Sequence, residues 1–195
     1  MLAARRIETA VRLVVAALAS TASCVTTQRL TVPTNHFVPN ERYDIAFRDP
    51  PVSLRAPVGG PSGLFLDVRH RFAIVDVAAE RQRPLWRATT RMYEYRLLDH
   101  HQRELLVYHW QPGDAYLGPD HPHLHVSAAL TAQTSAVDRR SIDLDKLHLA
   151  TGHVSLPAVV RMLIEEFRVA PQRPDWAATL DRTAEILREE ARQSA

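Results

Sequence analysis

A single cysteine, Cys24, has no thiol to pair with inside the chain, so a disulfide-stapled fold and a zinc site built from several thiolates are both excluded. Glycine is scarce, with 6 residues in 195, which rules out a collagen-like or glycine-rich repeat. Lysine is scarcer still. Of 24 Lys and Arg side chains only Lys146 is lysine, so nearly all positive charge sits on guanidinium groups that stay charged at any relevant pH. The net charge of +2 is too small to make the whole chain a polyanion binder, although a local arginine cluster can still hold phosphate. No apolar run is long enough to cross a bilayer: residues 13–19 are the longest near the amino terminus, and Arg12 closes that run. What remains is 46% hydrophobic and 24% charged, the balance of an ordinary globular domain rather than a disordered chain.

Three regions differ in composition. In residues 1–30, Arg5 and Arg6 precede the short apolar run and small residues lead to Cys24, the order of a secretory or lipoprotein signal. The same residues carry a second pattern: Ile7, Val11, Val14, Val15 and Leu18 recur at helical spacing, with Arg5, Glu8, Thr9 and Arg12 on the other side. Both readings stand, a cytoplasmic protein with an amphipathic helix or an exported one lipid-anchored through Cys24. Residues 31–62 form a proline-rich arm, with Pro33, Pro39, Pro50, Pro51, Pro57 and Pro61 around one short strand at 43–48. Residues 63–195 read as the folded domain.

Within that domain, 63–70 and 71–78 predict two strands or one long bent one. A hairpin pairs 89–98 with 103–110 across the polar loop 99–102. A further strand is expected at 123–129. The period then changes: Leu156, Val159, Val160, Leu163, Ile164 and Phe167 mark a helix with Ser155 as N-cap and Pro157 in its first turn. Pro171 and Pro174 end it, and a second helix follows to about Arg192. Strands first and helices last predict an α+β fold, an antiparallel sheet with a carboxyl-terminal helix pair packed on one face.

Chemistry concentrates in the histidines, of which there are 10. On an extended strand His123 and His125 project to one side, roughly 6 to 7 Å apart at their roots. His109 is the nearest candidate for a third imidazole from a neighbouring strand. Such a set can ligate a divalent metal. It can equally bind phosphate and pass protons. A metal set drawn from the run alone, His121, His123 and His125, is the alternative, and a merely hydrogen-bonded pair on a solvated face is the non-functional one. Asp120 serves as a turn residue or orients an imidazole. His148 and His153 flank a turn into the capped helix, and His100 and His101 belong to the hairpin loop. The run also has the spacing of the histidine-triad nucleotide hydrolases, but Pro122 and Ser127 stand where that family has apolar residues.

Taken in order, Tyr93-Glu-Tyr95-Arg-Leu97, Val107-Tyr108-His109-Trp110-Gln111 and His121-Pro122-His123-Leu124-His125-Val126, followed by an amphipathic helix, resemble the TumE-type toxins of bacterial toxin–antitoxin pairs over about residues 90 to 130. The long amino-terminal half, the 148–155 insertion and the second carboxyl-terminal helix depart from that pattern. The resemblance implies a small bacterial toxin that meets an antitoxin protein and binds or cleaves RNA. His123, His125 and His109 would then be the catalytic set, with Arg91, Arg96 and Arg103 as phosphate contacts. Two other classes stand beside it. One is a non-catalytic interaction protein whose Tyr93, Tyr95, Trp110 and Trp176 anchor a core or partner face. The other is a metal-binding protein with a His-x-His site.

Overall fold

Alternation of apolar and polar residues builds the middle of this chain into strands, and helical spacing at its two ends builds helices. The computed structural model describes residues 3–77, 84–113, 118–127 and 148–192. Helix α1 (Ile7–Ala22) is followed by strands β1 (Leu30–Thr31), β2 (Arg42–Phe47), β3 (Val52–Arg55), β4 (Pro61–Asp76), β5 (Trp86–Leu98), β6 (Glu104–Trp110), β7 (His123–Val126) and β8 (Leu149–Ala150), then helices α2 (Leu156–Glu165) and α3 (Trp176–Arg192). All pairings are antiparallel, in the order β1-β2-β4-β5-β6-β7-β8, with β3 beside β2 along the same edge of β4. The architecture is α+β.

One face of the sheet is the core. Leu66, Val68, Phe72 and Ile74 of β4 and Tyr93, Tyr95 and Leu97 of β5 alternate onto it and are buried with Leu156, Val160 and Leu163 of α2 and Leu180 of α3. Tyr93 and Tyr108 tie the sheet to the helix layer: the Val154 amide donates to Tyr93 Oη at 3.0 Å, and Tyr108 Oη donates to Met162 Sδ at 3.4 Å. The carboxyl-terminal pair shares this layer with a third helix. Val11, Val14, Ala17 and Leu18 of α1 lie in the same core, and the hydroxyls of Thr21 on α1 and Thr183 on α3 hydrogen-bond at 3.0 Å.

Cys24, just after α1, is wholly buried, and burial pushes its thiol pKa up. Anchoring a lipid on Cys24 would therefore require a chain from which α1 and this packing are gone. Among the described residues, no helix is long and apolar enough to cross a membrane.

The proline-rich residues 31–62 supply the second residue of β1 and all of β2 and β3 to this sheet, and Ile45, Phe47, Val52 and Leu54 enter the core. β4 is one long strand. Its register with β5 shifts between Arg71 and Phe72, whose partners are Met92 and Thr90, so Arg91 is the extra residue of a β-bulge.

The opposite face is polar. Asp44 of β2 holds Arg71 at 2.6 Å and Arg69 at 3.2 Å, and Arg96 of β5 is gripped by Asp67, with Glu94 at 3.6 Å and Glu104 at 3.5 Å. His109, His123 and His125 lie on this face.

Candidate metal centre

The sequence His123-Leu124-His125-Val126 can lie against the core in only one phase. Leu124 pairs with Tyr108, a core-face residue, so the intervening histidines turn to the other face. On that face His123 stands directly opposite His109 of β6, and His125 opposite Val107. β8 pairs along the far side of β7, Leu124 with Leu149 and His123 with Ala150, so one further step of register brings His148 beside His125.

Four imidazoles therefore converge from three neighbouring stretches of chain. Ring centres are 5.2 Å apart for His109 and His123, 4.8 Å for His123 and His125, and 6.3 Å for His109 and His125. His148 lies 4.5 Å from His125 and 5.1 Å from His123. One ring nitrogen from each of His109, His123 and His125 lies within 4.8 Å of the other two. His123 is fully buried, His109 nearly so, His125 partly, and His148 is exposed.

Hydrogen bonding fixes the tautomer of the central ring. His123 Nδ1 is 2.8 Å from the carbonyl oxygen of His121, and only an N–H can make that approach. Nε2 is therefore the lone-pair nitrogen. It is buried and has no hydrogen-bond partner. Leaving such an acceptor unmade costs roughly 1–3 kcal/mol, so an orphan at this depth among three other imidazoles calls for a ligand.

For His125 and His109 the surroundings favour the neutral ring, the form that coordinates metals. Burial, and then the neighbouring imidazoles His123, His148 and His109, depress the pKa of His125 to about 4. Burial also lowers that of His109, opposed by the carboxylate of Glu94 and by a hydrogen bond with the Gln111 side chain. Glu94 sits directly across β5 from His109. Gln111 thus holds this ring by a hydrogen bond, as outer partners of metal-bound imidazoles do, while Glu94 acts on it through charge.

Of the histidines marked from sequence, His109, His123 and His125 come together. His121 serves through its carbonyl, while its own ring is exposed, 6.1 Å from that of His123. Asp120 likewise acts through its backbone, its carbonyl accepting from Trp110 Nε1 at 3.1 Å. His153 packs against Trp110 at 4.3 Å and Tyr93 at 6.1 Å, side chains of the core face.

The three arginines are not brought together. Arg91 is exposed at the bulge, Arg96 is engaged by three carboxylates, and Arg103 pairs with Asp99 in the hairpin turn. Arg91 and Arg103 stand at opposite ends of the hairpin, roughly 20 Å apart along the strands.

Gln111 follows His109 by the two residues that return a strand to the same face, whereas His148 and Glu94 carry no sequence signal for the site. Their roles follow from strand register, which spacing along the chain does not encode. No family model, curated protein or solved structure matches the chain.

Proposed function

We propose that this chain is a transition-metal protein whose His109, His123 and His125 bind one divalent ion on the polar face of the sheet. The observation that carries the reading is the buried, unpartnered Nε2 of His123, on a ring grouped with those of His109 and His125. An all-imidazole set suits zinc, copper, nickel or cobalt, whereas magnesium and calcium prefer oxygen donors. Three such ligands leave at least one position for a further ligand or for a water that the ion would acidify.

Metal analysis of the purified protein tests this directly. One equivalent of zinc or a neighbouring metal is expected, falling to near zero in His125→Ala and His109→Asn variants that keep the wild-type circular dichroism. Zinc at about 100 times its Kd should stabilise the wild type by about 2.7 kcal/mol, a melting shift of roughly 5–10 °C. Substoichiometric metal together with no melting shift would sink the reading.

A second reading uses the same residues. The tyrosine hairpin, the Tyr108-His109-Trp110 segment and the histidine strand lie on consecutive paired strands β5, β6 and β7, which supports the TumE-like reading of a phosphodiester-cleaving toxin with an antitoxin partner. The lowered pKa of His109 and of His125 makes these rings weak bases that are seldom protonated near neutral pH, so a bound ion is the better source of an activated water. Growth arrest on induced expression, relieved by His125→Ala, would support it. RNA cleavage that persists in excess chelator would favour the metal-free form.

A further inference from the structure

The triad leaves one imidazole unaccounted for. His148 reaches the cluster from the start of β8, on the far side of β7 from His109, and it is the exposed member of the group. Four imidazoles bound to one tetrahedral ion at about 2.0–2.1 Å hold their ring centres about 5 Å apart. Four of the ring separations fall there: 4.5 and 5.1 Å from His148 to His125 and His123, 4.8 Å between His123 and His125, and 5.2 Å between His109 and His123. Of the six pairs, His109 and His125, at 6.3 Å, must draw closer, and His109 and His148, which approach from opposite sides of β7, must be brought to the same separation.

Resting on the metal reading above, we infer that His148 is the fourth ligand, closing a four-imidazole centre over the buried triad. The ion enters from the exposed side, where His148 stands, and His148 completes the shell behind it. A small anion then has no coordination position until His148 leaves. His148 is also the ligand best placed to leave, because β8 is only two residues long and its hold on the sheet is the pairing with His123 and Leu124 plus the Thr151 amide on the Pro122 carbonyl at 3.1 Å.

Cobalt(II) reports the centre without any assumption about activity. The full-length protein loaded with cobalt should show tetrahedral visible bands that azide leaves unchanged. The His148→Ala variant should bind cobalt more weakly by 10- to 100-fold or more, because losing even an outer partner of a ligand costs that much. Its bands should shift on adding azide, and free imidazole should restore the wild-type spectrum.

Azide-sensitive bands in the wild type, with unchanged affinity in His148→Ala, would overturn the inference while leaving the three-histidine centre standing. Failure of the wild type to bind cobalt or zinc at all would overturn both. Circular dichroism of His148→Ala confirms that any loss is local, and a His100→Ala control should leave both affinity and spectrum unchanged, since His100 lies in the distant hairpin loop.

Discussion

His70 shows what the core face asks of an imidazole. It is nearly inaccessible, with Nδ1 2.9 Å from Tyr95 Oη and Nε2 3.1 Å from Thr90 Oγ1, and burial depresses its pKa to about 4. The unfolded chain takes up a proton near pH 6.5 that the folded chain refuses until about pH 4, so stability is full above 6.5 and falls as pH drops through that window. The loss should approach about 3 kcal/mol from this residue alone. Denaturant titrations at pH 7 and pH 4.5 should show a smaller pH-dependent loss in His70→Gln than in the wild type, and equal losses would remove His70 from the account. His109 and His125 titrate in the same direction but are present in both proteins, so the difference isolates His70. Nothing along the chain separates His70 from His123 in role. Both alternate within a strand, and only the face of the sheet decides which becomes a packed hydrogen-bonding residue and which a ligand candidate. The pairing of His123 with His125 was legible because the two-residue period is local. His148 was not, because its place depends on a chain that returns some twenty positions later to the edge of β7.

At the scale of elements, the β5–β6 hairpin was plain in the sequence and its internal irregularities were not. Tyr93, Tyr95 and Leu97 share the core face as their spacing predicts, but Ala88 and Thr90 reach that face in the other phase. The slip at Arg91 is invisible without the partner strand, because β4 opposite keeps an unbroken two-residue period from Leu66 to Ile74. The hairpin turn holds a second irregularity. Asp99 accepts the amides of His101 at 2.8 Å and Arg103 at 2.9 Å, and Gln102 is left with φ of 59°. A side chain in that left-handed region costs about 1–2 kcal/mol, part of which glycine returns through its freer unfolded state. Gln102→Gly should therefore raise stability by up to about 1 kcal/mol by denaturant titration and leave metal content unchanged. A destabilised variant would mean that the Gln102 side chain contributes more than its backbone costs.

For the whole molecule, the first thirty residues carry the main lesson. Their composition suits either a short signal or an amphipathic helix, because both need apolar residues behind a basic start. Composition alone does not reveal the long-range packing of this segment, in which α1 lies in the core with Leu18 fully buried. Leu18→Ala should cost about 2–5 kcal/mol, the range for emptying a buried leucine site, measured by denaturant unfolding. A cost below about 1 kcal/mol would show that α1 is dispensable to the fold. The proline-rich stretch teaches the same point: its prolines mark turns, while the residues between them, Ile45 and Phe47 or Val52 and Leu54, alternate into the core.

Among the described residues, the β1-to-β8 path of the sheet ends at both margins in strands of two residues. A foreign segment seeking to add itself there would find too few free backbone groups to repay its ordering, a natural safeguard against runaway stacking. Brevity at the β8 margin would thus serve twice, keeping the histidine-rich side from templating fibrils and leaving room for the ligand exchange proposed for His148.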